Sequence, residues 1–408
     1  MDTQFFSVKG LLVILFVSFA VLSGSCGSQE KKIDTLTALL NDPNAEVRRN
    51  AVVRLSKMGG SAAVPALIKA LGDKDKDISS IAKEALVKAG EKAVPALIRT
   101  SSNFQNYELA QRASNVLVEM GLVAAPALVE ALGEALGEET LAVALLLKRR
   151  SVAHIIDIVG EMGISAVPAL VESLKKNNSL SAYDALLVLS VIEERLRKSE
   201  LPSEHLELLY LEVEAVPELM NKLSDDDAVI RCLAAEVLYK IDSSKEEVVV
   251  ATLEDLLNTS NEETPSTIRI LEEIGTARAL DVLSVYRAKQ LKDEDEYVRR
   301  EHAFLLSEMS PISETIVPDL VLMLKDEDTF VRMYVAIVLY RTDNTKHDIV
   351  VPLLSDVLFD ANLTLAWWDN SGINSGSTIV MASQLAVDML REIGTQEAMR
   401  AVEKYEKK

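Results

Sequence analysis

Apolar residues recur every three or four positions along most of this chain, the spacing that gathers them on one face of a helix. After Asp42, the residues Val47, Ala51, Val52, Leu55 and Met58 form such a stripe. Gly59-Gly60 closes it, since glycine accepts the backbone turn that ends a helix. A second stripe runs from Ala63-Val64-Pro65-Ala66-Leu67 through Ile68 to Leu71. Pro65 fits a first helical turn, where no backbone donor is lost. Asp42-Pro43 reads as a helix start with the aspartate as cap. The pattern predicts two helices joined by a tight turn, and Gly72-Asp73 opens the next pair.

The same order returns along the sequence. Ala93-Val94-Pro95-Ala96-Leu97, Ala124-Ala125-Pro126-Ala127-Leu128 and Ala166-Val167-Pro168-Ala169-Leu170 each follow a helical stripe and a glycine. Ala215-Val216-Pro217, Ile316-Val317-Pro318 and Val350-Val351-Pro352 repeat the second element. Leu271 to Thr276 and Leu390 to Thr395 keep the frame without the proline. A second column marks the first helix of a pair. Asp42, Asp225, Asp293 and Asp326 each stand five residues before Val47, Ile230, Val298 and Val331, which Arg48, Arg231, Arg299 and Arg332 follow. Asp73 and Ile78 keep this spacing, with Ser79 in place of the arginine.

These features resemble HEAT repeats, particularly the short HEAT-like repeats of phycobilin lyases. The resemblance implies an all-α fold, a right-handed α-α superhelix of about nine to ten helical hairpins over 33–408. It also implies that the Asp and Arg columns form a ladder of charge-assisted bonds between neighbouring repeats. The residue types agree with that role, because a guanidinium can bridge carboxylates and carbonyls in a fixed geometry.

Composition supports the helical reading. Of 408 residues, 49% are hydrophobic but only 5% aromatic, so Leu, Ala, Val and Ile carry the apolar content rather than the aromatic residues that strands favour. The 43 basic residues against 63 acidic ones leave a net charge of -20, which disfavours nucleic acid as a partner. Lys148, Arg149 and Arg150 form the densest basic cluster and read as a solvated helix end. Two cysteines exclude a disulfide framework, and Cys232, in an apolar run, reads as a small buried hydrophobe.

The N-terminus carries a different signal. Leu11 to Leu22 is an apolar run of signal-peptide length, followed by Ser23-Gly24-Ser25 and Cys26. This resembles a bacterial lipoprotein signal, although Ser23 stands where leucine is usual. The resemblance implies removal of residues 1–25, a lipid on Cys26 and a polar tether over 26–32. The expected location is the cell envelope, on a periplasmic or outer-membrane face. No other segment reads as a membrane span.

Three interruptions break the repeat, near 133–150, 190–214 and 360–377. The second predicts a lengthened helix, a turn at Leu201-Pro202 and a further helix from His205 to Val213. The third holds both tryptophans, Trp367 and Trp368, beside Asp369, Asn370 and a Gly/Ser/Asn-rich stretch. Adjacent tryptophans cannot both face one core from a helix, and Trp anchors interfaces, so these four residues are the candidate partner-binding site. A plug under the last hairpin is the competing role.

The histidines His154, His205, His302 and His347 stand far apart, without metal-ligand spacing. No phosphate-cradling glycine loop, nucleophile elbow or HExxH is present. The expectation is therefore a tethered interaction scaffold, with no catalytic residues, metal or cofactor, acting on a protein partner. The alternatives are a tetrapyrrole lyase or chaperone, by family analogy, and a glycan binder through the Trp segment.

Overall fold

The structure is a computed structural model that describes residues 29–136, 150–176, 179–198, 204–259, 264–359 and 382–407. Cys26 and the four residues Trp367, Trp368, Asp369 and Asn370 lie outside these, as do Lys148, Arg149 and the turn at 201–202. The described residues are helices and their connections, with no strand among them.

The chain divides into two compact units, the first ending at Ser243 and the second beginning at Ser244. The first opens with a single helix, α1 (Gln29–Leu39), whose Ile33 and Leu36 are buried. Hairpins follow: α2 (Ala45–Met58) with α3 (Gly60–Leu71), α4 (Lys76–Ala89) with α5 (Val94–Ser101), and α6 (Tyr107–Met120) with α7 (Ala125–Leu136). Next come α8 (Arg150–Met162) with α9 (Val167–Leu174), α10 (Ser179–Lys198) with α11 (Glu204–Lys222), and then α12 (Ala228–Ile241). Each hairpin packs on the next along the sequence, as with α2 on α4 and α4 on α6. A line of fully buried side chains, including Leu55, Leu67, Ile78, Leu86, Leu97 and Leu117, runs through successive hairpins.

The second unit begins with α13 (Glu246–Thr259) and continues with α14 (Thr264–Ile274), α15 (Ala277–Gln290), α16 (Glu296–Glu308) and α17 (Val317–Met323). It ends with α18 (Thr329–Thr342), α19 (His347–Phe359), α20 (Ala382–Ile393) and α21 (Gln396–Glu406). Helix α18 is its centre, with every position from Val331 to Leu339 buried apart from Arg332. Leu306, Leu320, Leu354 and Leu390 pack in the same core.

Glycine ends the first helices of the early hairpins. Gly59, Gly90, Gly121 and Gly163 all adopt positive φ, where a Cβ is strained. The apolar stretch Ala153–Leu174 is long and apolar enough to cross a membrane, unlike the sequence reading, but 56% of it is buried and Gly163, at φ 54, interrupts it. Its apolar length belongs to two core helices.

Three local expectations change. Pro65 lies inside α3, which starts at Gly60, whereas Pro95, Pro168 and Pro318 do open their helices after a 3-10 turn. The segments read as separate helices at His205–Val213 and at Pro217 are one helix, α11. The aspartate column supplies no caps. Asn44, Asp75, Asp227, Asp295 and Asp328 cap α2, α4, α12, α16 and α18, each two residues after a column aspartate.

Candidate functional site

The polar residues of the repeat build from the helix start upward. Asp42 accepts a hydrogen bond from the Asn44 amide at 2.8 Å, and Asn44 in turn accepts from Glu46 N at 2.9 Å. The same relay recurs at Asp73, Asp75 and Asp77, and again at Asp326, Asp328 and Phe330. Two short acceptors in series thus satisfy amides that a helix start leaves open.

The arginine that follows joins neighbouring repeats. Arg48 donates from Nε to Asp73 Oδ2 at 2.7 Å and from Nη2 to Asp73 Oδ1 at 3.0 Å, while Nη1 reaches the Asp42 carbonyl at 3.0 Å. Both side chains are buried, 6% and 8% exposed. The hydrogen bond from Arg48 holds the Asp73 carboxyl below its ordinary range, and that bond to Asp73 raises the Arg48 guanidinium above its own. Arg299 repeats the arrangement, donating to Asp326 at 2.9 and 3.3 Å and to the Asp293 carbonyl at 2.9 Å. The hydrogen bond to Asp326 raises its affinity for the proton.

Arg231 and Arg332 keep the carbonyl half of this pattern. Arg231 donates to the Asp225 and Asp226 carbonyls at 2.8 and 3.1 Å, and Arg332 to those of Asp326 and Glu327 at 2.7 and 2.8 Å. Asp225 receives Lys222 at 2.9 Å. Burial opposes ionisation of Asp225, but the Lys222 hydrogen bond and the Asp227 amide outweigh it and keep the carboxyl low.

A second row escaped the sequence reading. Arg49 pairs with Asp77 at 2.6 Å, and Arg300 pairs with Asp328 while lying 4.8 Å over the Phe330 ring. The doubled arginines Arg48-Arg49 and Arg299-Arg300 were its signal. Arg112 was missed as well: its Nη1 donates to the Leu71 and Asp73 carbonyls, both at 2.8 Å, tying α6 to the end of α3.

The described histidines, Cys232 and Asp184 lie apart from this ladder. His154 bonds Ser114 Oγ at 2.9 Å, and His347 is exposed near the Asn344 carbonyl. Burial, with the nearby Arg287 charge, pushes His302 down to about 4, and its ring meets Tyr286 edge-on. Cys232 is buried. Among the described residues no group of His, Cys, Asp and Glu has metal-binding geometry. Asp184 in α10 is 4% exposed, and neither carboxylate oxygen has a hydrogen-bond partner there. Desolvation pushes it up to about 7. An open groove of about 740 Å³ lies beside α5 and α7, lined by Ile98, Arg99, Asn103, Glu134 and Ile155 among others.

Residues 22–87 match the family model described as HEAT repeats. Among solved structures, an engineered protein aligns at 17% identity over 92% of this chain and 92% of its own, with a TM-score of 0.38. Kap121p bound to Nup53p aligns at 12% identity over 93% of this chain and 43% of its own, with a TM-score of 0.41. A structure concerning a phosphorylation switch between cadherin and beta-catenin aligns at 14% identity over 90% of this chain and 83% of its own, at 0.36. A search of curated proteins found no match. The described residues form an all-α array of helical hairpins, and the span matching HEAT repeats contains the first rung of the ladder, Arg48–Asp73.

Proposed function

We propose that this chain is an interaction scaffold that works by binding rather than catalysis and is held at the cell envelope by a lipid on Cys26. The observation that carries the reading is the use made of its charged residues. The charged residues of the repeat serve its structure: Asp75, Asp227, Asp295 and Asp328 cap helices, and Arg48–Asp73 and Arg299–Asp326 cross-link hairpins. Such an array adds surface with each unit while each unit contacts only its neighbours. The lipoprotein-like Ser23-Gly24-Ser25-Cys26 box supports the tether, and the Trp367-Trp368 pair supplies a candidate contact.

One experiment tests both parts. Tagged wild-type chain, Cys26→Ala and the double variant Trp367→Ala/Trp368→Ala are fractionated and used as bait. The Cys26 variant is expected in the soluble fraction, and the Trp variant is expected to stay on membranes but lose a captured protein. Membrane retention of Cys26→Ala sinks the lipid anchor. Identical capture by wild type and the Trp variant removes that segment from the reading.

A further inference from the structure

Helix α11 is apolar on two faces. Leu211, Ala215 and Leu219 are buried in the unit, as their spacing of four requires. The opposite face carries Leu209, Val213 and Tyr210, which are 54%, 64% and 38% exposed. Pro217, also exposed, and the half-buried Val216 and Met220 extend that strip along the helix. A surface helix ordinarily carries polar residues on the face opposite its core stripe, and an exposed apolar strip there marks a contact surface. Two second helices differ: α3 exposes Ser61, Ala62, Pro65 and Lys69, and α5 exposes Pro95 and Arg99; α17 exposes Val321 and Leu322 but is only seven residues long.

The flanks of the strip fix its partner. Helical geometry of 100° per residue puts Glu214, Glu207 and Glu218 along one edge and Glu212 along the other. No basic residue of α11 lies between Glu204 and Met220 apart from His205, and the molecule carries a net charge of -20. An apolar strip bordered by carboxylates complements a helix whose apolar stripe is bordered by lysine or arginine. We propose that the outward face of α11 docks a basic amphipathic helix of a partner protein, with Leu209, Tyr210 and Val213 as the apolar anchors. The proposal deepens the scaffold reading and rests on it.

The test uses the full chain and a labelled synthetic peptide of 18 residues, leucine and lysine at helical spacing, read by fluorescence anisotropy. A matched peptide with glutamate for lysine is the control. Wild type is expected to bind the lysine peptide and not the glutamate peptide. Leu209→Ser/Val213→Ser, which leaves the charge unchanged, is expected to bind at least ten-fold more weakly with unaltered circular dichroism and melting. Glu207→Gln/Glu212→Gln/Glu214→Gln is expected to weaken binding and flatten its salt dependence. Equal binding by the serine variant would overturn the proposal, because general attraction to an acidic protein explains it. So would binding of neither peptide, or sedimentation showing self-association that the serine variant abolishes, since the occupant is then a second copy. These outcomes leave the Cys26 and Trp tests untouched, because neither reads α11.

Discussion

At the scale of single residues, the same side-chain type does opposite things according to its partners. Asp73 accepts from Arg48 and from the Asp75 amide, so its charge is favoured and its carboxyl is held low. Folding therefore gains from ionised Asp73 above the unfolded carboxylate range near 3.9, and loses that gain as pH falls through the lower folded value. Asp184, buried without a hydrogen-bond partner among the described residues, is pushed up to about 7 by desolvation. Its folded form holds a proton that the unfolded form has released, so its contribution worsens as pH rises from about 4 to about 7 and is level above. Asp184→Asn removes the ionisation while keeping the shape. Melting is expected to rise at neutral pH by the equivalent of roughly 2 kcal/mol, and the difference from wild type is expected to vanish near pH 4. A difference independent of pH sinks this account. Nothing in the sequence marked Asp184, because a lone acid in an apolar helix has no repeat to compare it with. The Arg column stands out in the sequence for the opposite reason, four copies at one spacing: all four bond carbonyls of their own helix start, and Arg48 and Arg299 also reach the next column aspartate. The caps lie two residues beyond the column aspartates because both side chains of each Asp-x-Asx start are good acceptors, and only the backbone turn decides which meets the first helical amides.

At the scale of helices, periodicity made the hairpins legible, while Pro65 and Pro217 lie inside helices that they were expected to open. Val216-Pro217 resembled the opening of a second helix, yet the preceding turns supply enough apolar contact for α11 to run through it. The glycine turns were read correctly, and they differ in what surrounds them. Gly59 has φ 60 and open space where a Cβ would stand, whereas a Cβ on Gly121, at φ 50, would meet Ser165 Oγ at 3.2 Å and its Cβ at 3.4 Å. The turn after α6 therefore packs on the turn after α8. Gly59→Ala is expected to cost only the strain of positive φ, about 1–3 kcal/mol. Gly121→Ala is expected to cost roughly 1 kcal/mol more from crowding. Adding Ser165→Ala should recover that excess and leave the strain. Chemical denaturation of the three variants checks this, and equal losses for the two glycine substitutions would show that the turns do not press on one another.

At the scale of the whole molecule, the ladder sets how far a local defect spreads. Each compact unit has its own buried line of side chains, and within each a rung ties one repeat to the next rather than to a common centre. Stability in such an array is a sum of repeat terms and neighbour terms, so damage is expected to fade along the stack. Arg299→Ala removes one guanidinium that binds Asp326 twice and two carbonyls of its own helix start. The Asp326 side chain stays 7% exposed without that charge, a situation that costs about 3 kcal/mol. Exchange of backbone amides with deuterium, followed by mass spectrometry, reads where this cost falls. Faster exchange is expected in α16, α17 and α18, less in α14 and α20, and none in α1 to α6. Acceleration throughout both units would mean that the chain unfolds as one body, and that the rungs act globally rather than between neighbours.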